Sequence, residues 1–254
     1  LALWAFVIEP QRLVVHRETL IVPGWSPRPP LRIAVAGDLH VGSPWSGIAK
    51  LRRVVQTINA QQPDVIVLLG DYVIQDVIGG RFVPPEAIAA ELRALHAPLG
   101  VFAVIGNHDN WLDGHRVAAA LRTARITVLE DDVARTPTFT LAGVSDLWTA
   151  PHNIAATLAK VAGNEPVILL THNPDLFPHV PARVSLTLAA HTHGGQVNLP
   201  FVGRLIVPSH FGQRYAAGHV VEGGRNLWVT TGVGTSIIPV RFRVPPEVGV
   251  VEVR

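Results

Sequence analysis

The chain of 254 residues has no cysteine and no methionine, only 16% charged residues, and cations that are almost all arginine. Without cysteine there is no disulfide framework, zinc ribbon, thiolate cluster or thiol nucleophile, so any metal must be held by His, Asp, Glu or Asn. A charged fraction well below the usual level of about 25% argues against intrinsic disorder and leaves room for an unusually apolar surface. The formal net charge of +2 is no nucleic-acid footprint, because that needs a clustered basic stripe. No stretch reaches the roughly 20 apolar residues that cross a bilayer. The apolar run Leu1 to Ile8 ends at Glu9-Pro10. With Leu at position 1, this run reads either as the tail of a longer anchor or signal segment or as a short helix packed on the domain.

What is present begins with a rhythm. Leu13 to Val22 is strand-like, and Pro23 to Pro30 is a proline-rich connector that no helix survives. Apolar runs then appear at Leu31 to Ala36, Val65 to Leu69 and Val101 to Ile105, separated by helical spacing over Ile48 to Gln61 and Pro84 to Ala97. Alternating strand and helix predicts a parallel sheet with right-handed crossovers, whose buried strands read as continuous apolar runs. The second half is strand-rich: Ile126 to Leu129, Thr138 to Val144, Val167 to Leu170, Val184 to Ala189, Arg204 to Val207, Leu227 to Thr231 and Val248 to Val253, with one helix between Asn153 and Ala162. Two facing sheets are the expected way to bury so many strands. The division reads as residues 1–30 (apolar stub, strand and connector) followed by one domain over 31–254.

Polar clusters close the apolar runs. The first three end in Gly37-Asp38-Leu39-His40, Gly70-Asp71-Tyr72 and Gly106-Asn107-His108-Asp109; two later ones end in Thr171-His172-Asn173 and His191-Thr192-His193-Gly194-Gly195-Gln196. Ligands of open α/β sheets bind beyond the carboxyl ends of strands, so these clusters are expected to converge. Asp38 and His40, like His191 and His193, are two apart, which in an extended segment puts both side chains on one face. A single Gly-Asp after a strand is ordinarily a turn, and a lone buried His is ordinarily a satisfied core residue. Five of the 12 His in five such clusters, with three Asp and an Asn, are too many buried polar groups to lie side by side without a cation. His16, His96, His115, His152, His179, His210 and His219 read as surface or hydrogen-bonded residues.

The series Asp38-Leu-His40, Gly70-Asp71, Gly106-Asn107-His108-Asp109, Thr171-His172 and His191-Thr-His193 resembles, in order and spacing, the five-part signature of the calcineurin-like metallophosphoesterases. The His-Thr-His-Gly-Gly-Gln run, Leu199-Pro200, Arg214-Tyr215, Gly232-Val-Gly234-Thr235 and Arg241 with Pro245-Pro246-Glu247 are similar to a bacterial membrane-associated or exported branch that includes UDP-diacylglucosamine hydrolases. The resemblance runs from about Glu9 to the C-terminus. It implies a four-layer α-β-β-α sandwich of two facing mixed sheets and a metal-dependent phosphoric ester hydrolase. It implies one metal on Asp38, His40 and His193, a second on Asn107, His172 and His191, Asp71 bridging both, and His108 beside them as proton donor. Two cations sharing a carboxylate can generate hydroxide near neutral pH for in-line attack on phosphorus, while a His near pH 7 protonates the leaving oxygen. The mixed oxygen and imidazole set suits manganese, iron or zinc over magnesium or calcium, with manganese favoured.

Two departures stand out. Ala190 replaces the Gly usual before His-Thr-His, and Ile74 occupies the place where serine/threonine phosphatases carry the Asp that orients the catalytic His. Ile74 argues against a protein phosphatase and leaves the partner of His108 open, with Asp109 reading as a brace of the loop. Arg204, Arg214, Arg241 and Arg243 are candidate phosphate ligands, against the plain alternative that Arg is the preferred surface cation. Trp25, Trp45, Trp111 and Trp148 are candidates for an apolar rim, or for core packing. The expected activity is phosphodiester hydrolysis. The alternatives are a membrane-face pyrophosphatase acting on a UDP-sugar lipid and a non-enzymatic metal-bound scaffold. The expected location is membrane-associated or exported in a bacterium, or else cytoplasmic; lipid contact through the N-terminus is anticipated and nucleic acid is not.

Overall fold

The apolar runs bury both faces of their strands, and each face looks onto a different layer. The structure is a computed structural model that describes residues 1–254. After helical turns at Trp4–Ile8 and α1 (Glu9–Gln11), the first half runs β1 (Val14–Leu20), β2 (Leu31–Ala36), α2 (Ile48–Ala60), β3 (Val65–Leu69), α3 (Pro85–Leu92), β4 (Val101–Val104), α4 (Asn107–Thr123) and β5 (Thr127–Val128). The second half runs β6 (Asp132–Arg135), β7 (Thr140–Gly143), α5 (Ile154–Ala159), β8 (Val167–Leu170) and β9 (Leu186–Ala189). A small hairpin follows, of β10 (Asn198–Leu199) and β11 (Gly203–Arg204), and then β12 (Gly218–Glu222), β13 (Arg225–Val229) and β14 (Glu247–Val253). No helix is long and apolar enough to cross a membrane.

Two six-stranded sheets result, ordered β1-β14-β2-β3-β4-β5 and β12-β13-β9-β8-β7-β6. Both are mixed: β2 to β5 are mutually parallel with β14 antiparallel to β2, and β13, β9, β8 and β7 are parallel with β12 and β6 antiparallel at the edges. Ala34, Ala36, Ile66 and Leu68 face the helices α2 to α4 through Leu51, Ile58, Leu92 and Leu121. Their neighbours Ile33, Val35, Val67 and Val104 face across to Leu141, Ile168, Leu170 and Leu188 of the second sheet. Leu169, Ala189 and Val229 turn outward onto Leu176 and Phe177, with Leu158 of α5 packed against the same cluster. The four layers are therefore those expected, with a thin outer layer over the second sheet. Each fully buried aliphatic side chain contributes about 1.5–3 kcal/mol, so these alternating faces and not strand propensity hold the sandwich.

Some elements depart from the expected pattern. Helix α3 stops at Leu92 because Asn59 of α2 captures the chain beyond it, donating to the Ala94 carbonyl (2.8 Å) and accepting from the His96 N–H (3.2 Å). The expected strand at Arg204 to Val207 is only the two-residue β11. The edge strands β6 and β12 and the long helix α4 were not anticipated. Strand β12 is a half-buried edge joined to β13 by the Gly223-Gly224 turn, and α4 hides its period behind a break at Asp113, whose carboxylate caps the second half through the Arg116 N–H (3.0 Å).

Candidate functional site

The carboxyl ends of β2, β3 and β4 in one sheet and of β8 and β9 in the other meet at the seam between the sheets, and each is followed by one polar cluster. Asp38, His40, Asp71, Asn107, His172, His191 and His193 are all buried and come together there, with His108 beside them. Asp38 and His40 converge on one group, whereas His191 and His193 part to different groups, and none is aimed by extended backbone: Asp38 (φ 47°), His40 (φ 38°), Asp71 (φ 56°), His191 (φ 70°) and His193 (φ 52°) all sit in the left-handed region. Such conformations are strained for non-glycine residues and persist where the surroundings fix them. Gly106 shows how tight the packing is: a Cβ there would lie 2.2 Å from Asp71 Oδ1.

Asp71 Oδ2 lies at the centre, 3.2 Å from His172 Nε2, 3.5 Å from His40 Nε2 and 4.0 Å from His108 Nε2. On one side His40 Nε2 is 3.1 Å from His193 Nε2, which is 3.9 Å from Asp38 Oδ1. On the other, His172 Nε2 is 3.0 Å from Asn107 Oδ1 and 3.2 Å from His191 Nδ1. The tautomers follow from the outer contacts. His40 Nδ1 donates to the Val73 carbonyl (3.1 Å) and His172 Nδ1 to the Leu69 carbonyl (2.6 Å), so in the neutral rings both Nε2 lone pairs point inward. His40 Nε2 and Asp38 Oδ2, which has no hydrogen-bond partner, thus offer acceptors on one side of Asp71, while Asn107 Oδ1 and His191 Nδ1 crowd His172 Nε2 on the other. These donors fit cations on both sides of Asp71.

Electrostatics agree for three of the four imidazoles. Burial, reinforced by neighbouring His, pushes His40 and His191 down to about 3 and His193 well below the usual range, which leaves neutral imidazoles. His172 differs: burial opposes its charge, but the Asp71 carboxylate 3.2 Å away outweighs burial and pushes it up to about 10, which makes it an imidazolium that donates to Asp71 unless a cation takes that place. Burial pushes Asp38 up to about 7. Burial also opposes ionisation of Asp71, but His172, His108 and His40 outweigh it and hold the carboxyl well below its ordinary value. His108 is lowered, first by burial.

Several sequence candidates land elsewhere. Trp25 is buried in the core against Phe139, and Trp45 donates from Nε1 to the Phe6 carbonyl (2.9 Å), pinning the N-terminal turns. Trp111 and Trp148 do form a rim: both are exposed, with ring centroids 4.8 Å from His108 and 4.3 Å from His191 respectively, each edge-on. Arg241 is fully buried and spends its guanidinium on the carbonyls of Thr231, Gly234 and Val244, and Arg214 pairs with Glu222, so neither is free for phosphate. Arg204 Nε donates to the Gly194 carbonyl (2.8 Å). The methyl of Ala190 packs over Gly37, where a second Cβ would come within 2.7 Å. Ile74 is buried, and no protein group bonds His108 Nδ1; the ring is wedged between His40 (centroids 4.7 Å) and Trp111. Gly232 of the Gly232-Val-Gly234-Thr235 run packs on the site, where a Cβ would lie 2.6 Å from Asp38 Cβ; sequence reasoning missed Asp146, whose carboxylate caps the Trp148 loop through the Trp148 and Thr149 N–H groups (3.1 and 3.0 Å).

Residues 31–195, which carry all of these clusters, match the family model of the calcineurin-like phosphoesterases. The chain belongs to that family. This calcineurin-like phosphoesterase is 33% identical over 231 residues to the phosphodiesterase YaeI of Escherichia coli, covering 88% of this chain and 82% of YaeI. It is 25% identical over 251 residues to the UDP-2,3-diacylglucosamine pyrophosphatase LpxG of Chlamydia trachomatis, covering 78% and 74% of the two chains. The fold recurs in the NAD nucleotidase of Haemophilus influenzae (TM-score 0.52, 14% identity), with 82% of this chain matched and about half of that longer one, 46%. The protein is a metal-dependent phosphoester hydrolase with His/Asp clusters able to bind metal ions.

Proposed function

We propose that this phosphoesterase hydrolyses phosphodiesters at a two-metal centre, and the observation that carries the reading is the convergence of two buried donor groups, Asp38-His40-His193 and Asn107-His172-His191, on either side of Asp71 Oδ2. Asp38, His40 and His193 would hold one ion, Asn107, His172 and His191 the other, with Asp71 shared between them. The catalytic unit is residues 31–254, with 1–30 laid against it. When bound, two divalent or trivalent ions, manganese ahead of iron or zinc, supply the positive charge that polarises the phosphoryl group and acidifies water. His40 and His172 keep their donor nitrogens aimed by anchoring the opposite nitrogen on Val73 and Leu69. His108 presents Nε2 at the edge of the cluster and gives its proton to the departing alkoxide oxygen. Trp111 and Trp148 flank the cleft and exclude water from the two sides of the ester.

The likeness to YaeI supports a diester substrate, and the likeness to LpxG favours a second reading, a pyrophosphatase acting on a UDP-sugar lipid at a membrane face, with a membrane-associated or exported location. Elemental analysis followed by rates on aryl monoester, aryl diester and nucleotide pyrophosphate substrates with the bound metal separates the readings. Diester turnover above the others is the expected result. Activity confined to a lipid-linked nucleotide pyrophosphate selects the second reading, and a protein that binds metal but cleaves nothing overturns both.

A further inference from the structure

Outside the metal cluster, two neighbouring loops carry a group of bare aliphatic and aromatic tips. The turn of the β10–β11 hairpin and the segment after it expose Phe201, Val202, Leu205 and Ile206, with Phe201 fully in solvent (109% exposed). The loop before Arg241 exposes Ile237 and Ile238. The two loops are one surface: Gln196 at the hairpin's base donates to the Ser236 and Ile238 carbonyls (both 3.2 Å), accepts from the Ser236 N–H (2.8 Å), and Asn198 N–H bonds the Phe242 carbonyl (2.9 Å).

The surface also adjoins the site. The hairpin's return strand sits on the His193–Gln196 turn, where a Cβ on Gly195 would meet the Ile206 carbonyl at 2.8 Å, and Arg204 ties it to Gly194. Its charge is predominantly positive. Segments 196–214 and 235–244 contain no Asp or Glu and include Arg204 and the exposed Arg243; the adjoining 74–81 loop, tied on by the Ile78 N–H to the Ile237 carbonyl (2.9 Å), adds Arg81 and the exposed Asp76, and the buried Asp175 bonds Ser209 and the His210 N–H. Apolar tips set among more arginines than exposed carboxylates match a surface of anionic headgroups over acyl chains, where cations meet phosphate and aliphatic tips enter the boundary. Clustered apolar exposure beside a cleft marks an interaction surface.

We propose that the hairpin tip and the Ile237 loop dock this enzyme on an anionic lipid bilayer, with the mouth of the metal cluster turned toward the headgroup layer. Docking itself stands on the surface chemistry. That the ester is drawn from the interface rests on the phosphoesterase reading of the site.

The test uses the full metal-loaded chain and sedimentation with vesicles of equal parts phosphatidylcholine and phosphatidylglycerol. The wild type is expected to pellet with these vesicles, less so at high salt. Phe201→Asn with Ile206→Ser, and separately Ile237→Ser, are expected to weaken partitioning by about tenfold or more while leaving hydrolysis of a soluble aryl diester unchanged. Wild type that stays in the supernatant, or variants that pellet equally well, overturns the proposal. A wild type that dimerises in solution through residues these variants disrupt, without vesicle binding, assigns the face to a second copy and also overturns it. Vesicle binding without diester hydrolysis retains the docking surface and removes the phosphodiesterase reading; the converse removes docking alone.

Discussion

The carboxylate of Asp109 holds the backbone of Asp71. Oδ2 accepts from the Asp71 N–H at 2.8 Å and the Gly106 N–H at 3.0 Å, while Oδ1 accepts from Tyr72 (2.8 Å) and Val73 (3.3 Å). Asp71 returns the contact, its Oδ1 accepting from the His108 N–H at 2.9 Å. The first turn of α4 and the loop after β3 are thereby locked together around the central carboxylate.

Asp109→Asn turns one acceptor into a donor that faces backbone N–H groups. Stability is expected to fall by about 2 kcal/mol or more, since buried donors are left unpaired, and bound metal is expected to fall with it. Denaturant midpoints and elemental analysis are the measurements; unchanged metal content would show that Asp109 does not position Asp71.

His108→Ala and Asp71→Asn separate two roles. Both are expected to lower diester turnover, His108→Ala by about 10²-fold or more. Only Asp71→Asn is expected to lose metal strongly. Steady-state rates with metal analysis of each variant check this, and full turnover in His108→Ala would remove the proton-donor role.

Arg241 is fully buried and bonds three carbonyls of the loop that seats against Asp38 and His40. Arg241→Met leaves those carbonyls unpaired, and a loss of about 3 kcal/mol or more is expected in chemical denaturation, with weakened metal retention. Stability within experimental error of the wild type would contradict that role.

Lys50 sets a pH dependence. Its buried Nζ donates to the carbonyls of Pro10 (2.7 Å) and Val233 (3.0 Å), with no carboxylate partner, and burial, then the nearby Arg241, pushes its pKa down to about 7. Between about 7 and the unfolded value near 10.4 the unfolded chain holds the extra proton, so this contribution to stability is full above that window and is lost as pH falls through it, by at most about 1.4 kcal/mol per unit. In Lys50→Met that slope is expected to vanish. Denaturant titrations at several pH values compare the two proteins, and parallel profiles would refute the assignment.

The sandwich was legible because the buried strands announce themselves as uninterrupted apolar runs, and Ile33 to Val35 or Val65 to Leu69 could not sit at a surface. Helix α4 was not legible: its first turn holds Asn107, His108 and Asp109, polar groups chosen for the site, and Asp113 interrupts the rest. The spacing of Asp38 with His40 signalled a shared target, but for the wrong local reason, since left-handed backbone and not an extended face aims them; the same spacing in His191 and His193 misled, because those two rings turn to opposite sides of Asp71. Asp109 was legible as a brace, whereas its partners were not, because they are backbone amides from a loop 36 to 38 residues away.

By itself the sequence determined which donors exist and in what order. With no cysteine to use, His, Asp and Asn after apolar runs had to form any metal site. Only the tertiary structure decided which guanidinium and indole groups reach that site. Arg241 and Trp25 are chemically as suited to a cleft as Arg204 and Trp148, and nothing in their neighbours along the chain distinguishes them. The packing of two sheets places one pair inside, where unpaired carbonyls and apolar walls claim them, and leaves the other pair beside the cleft.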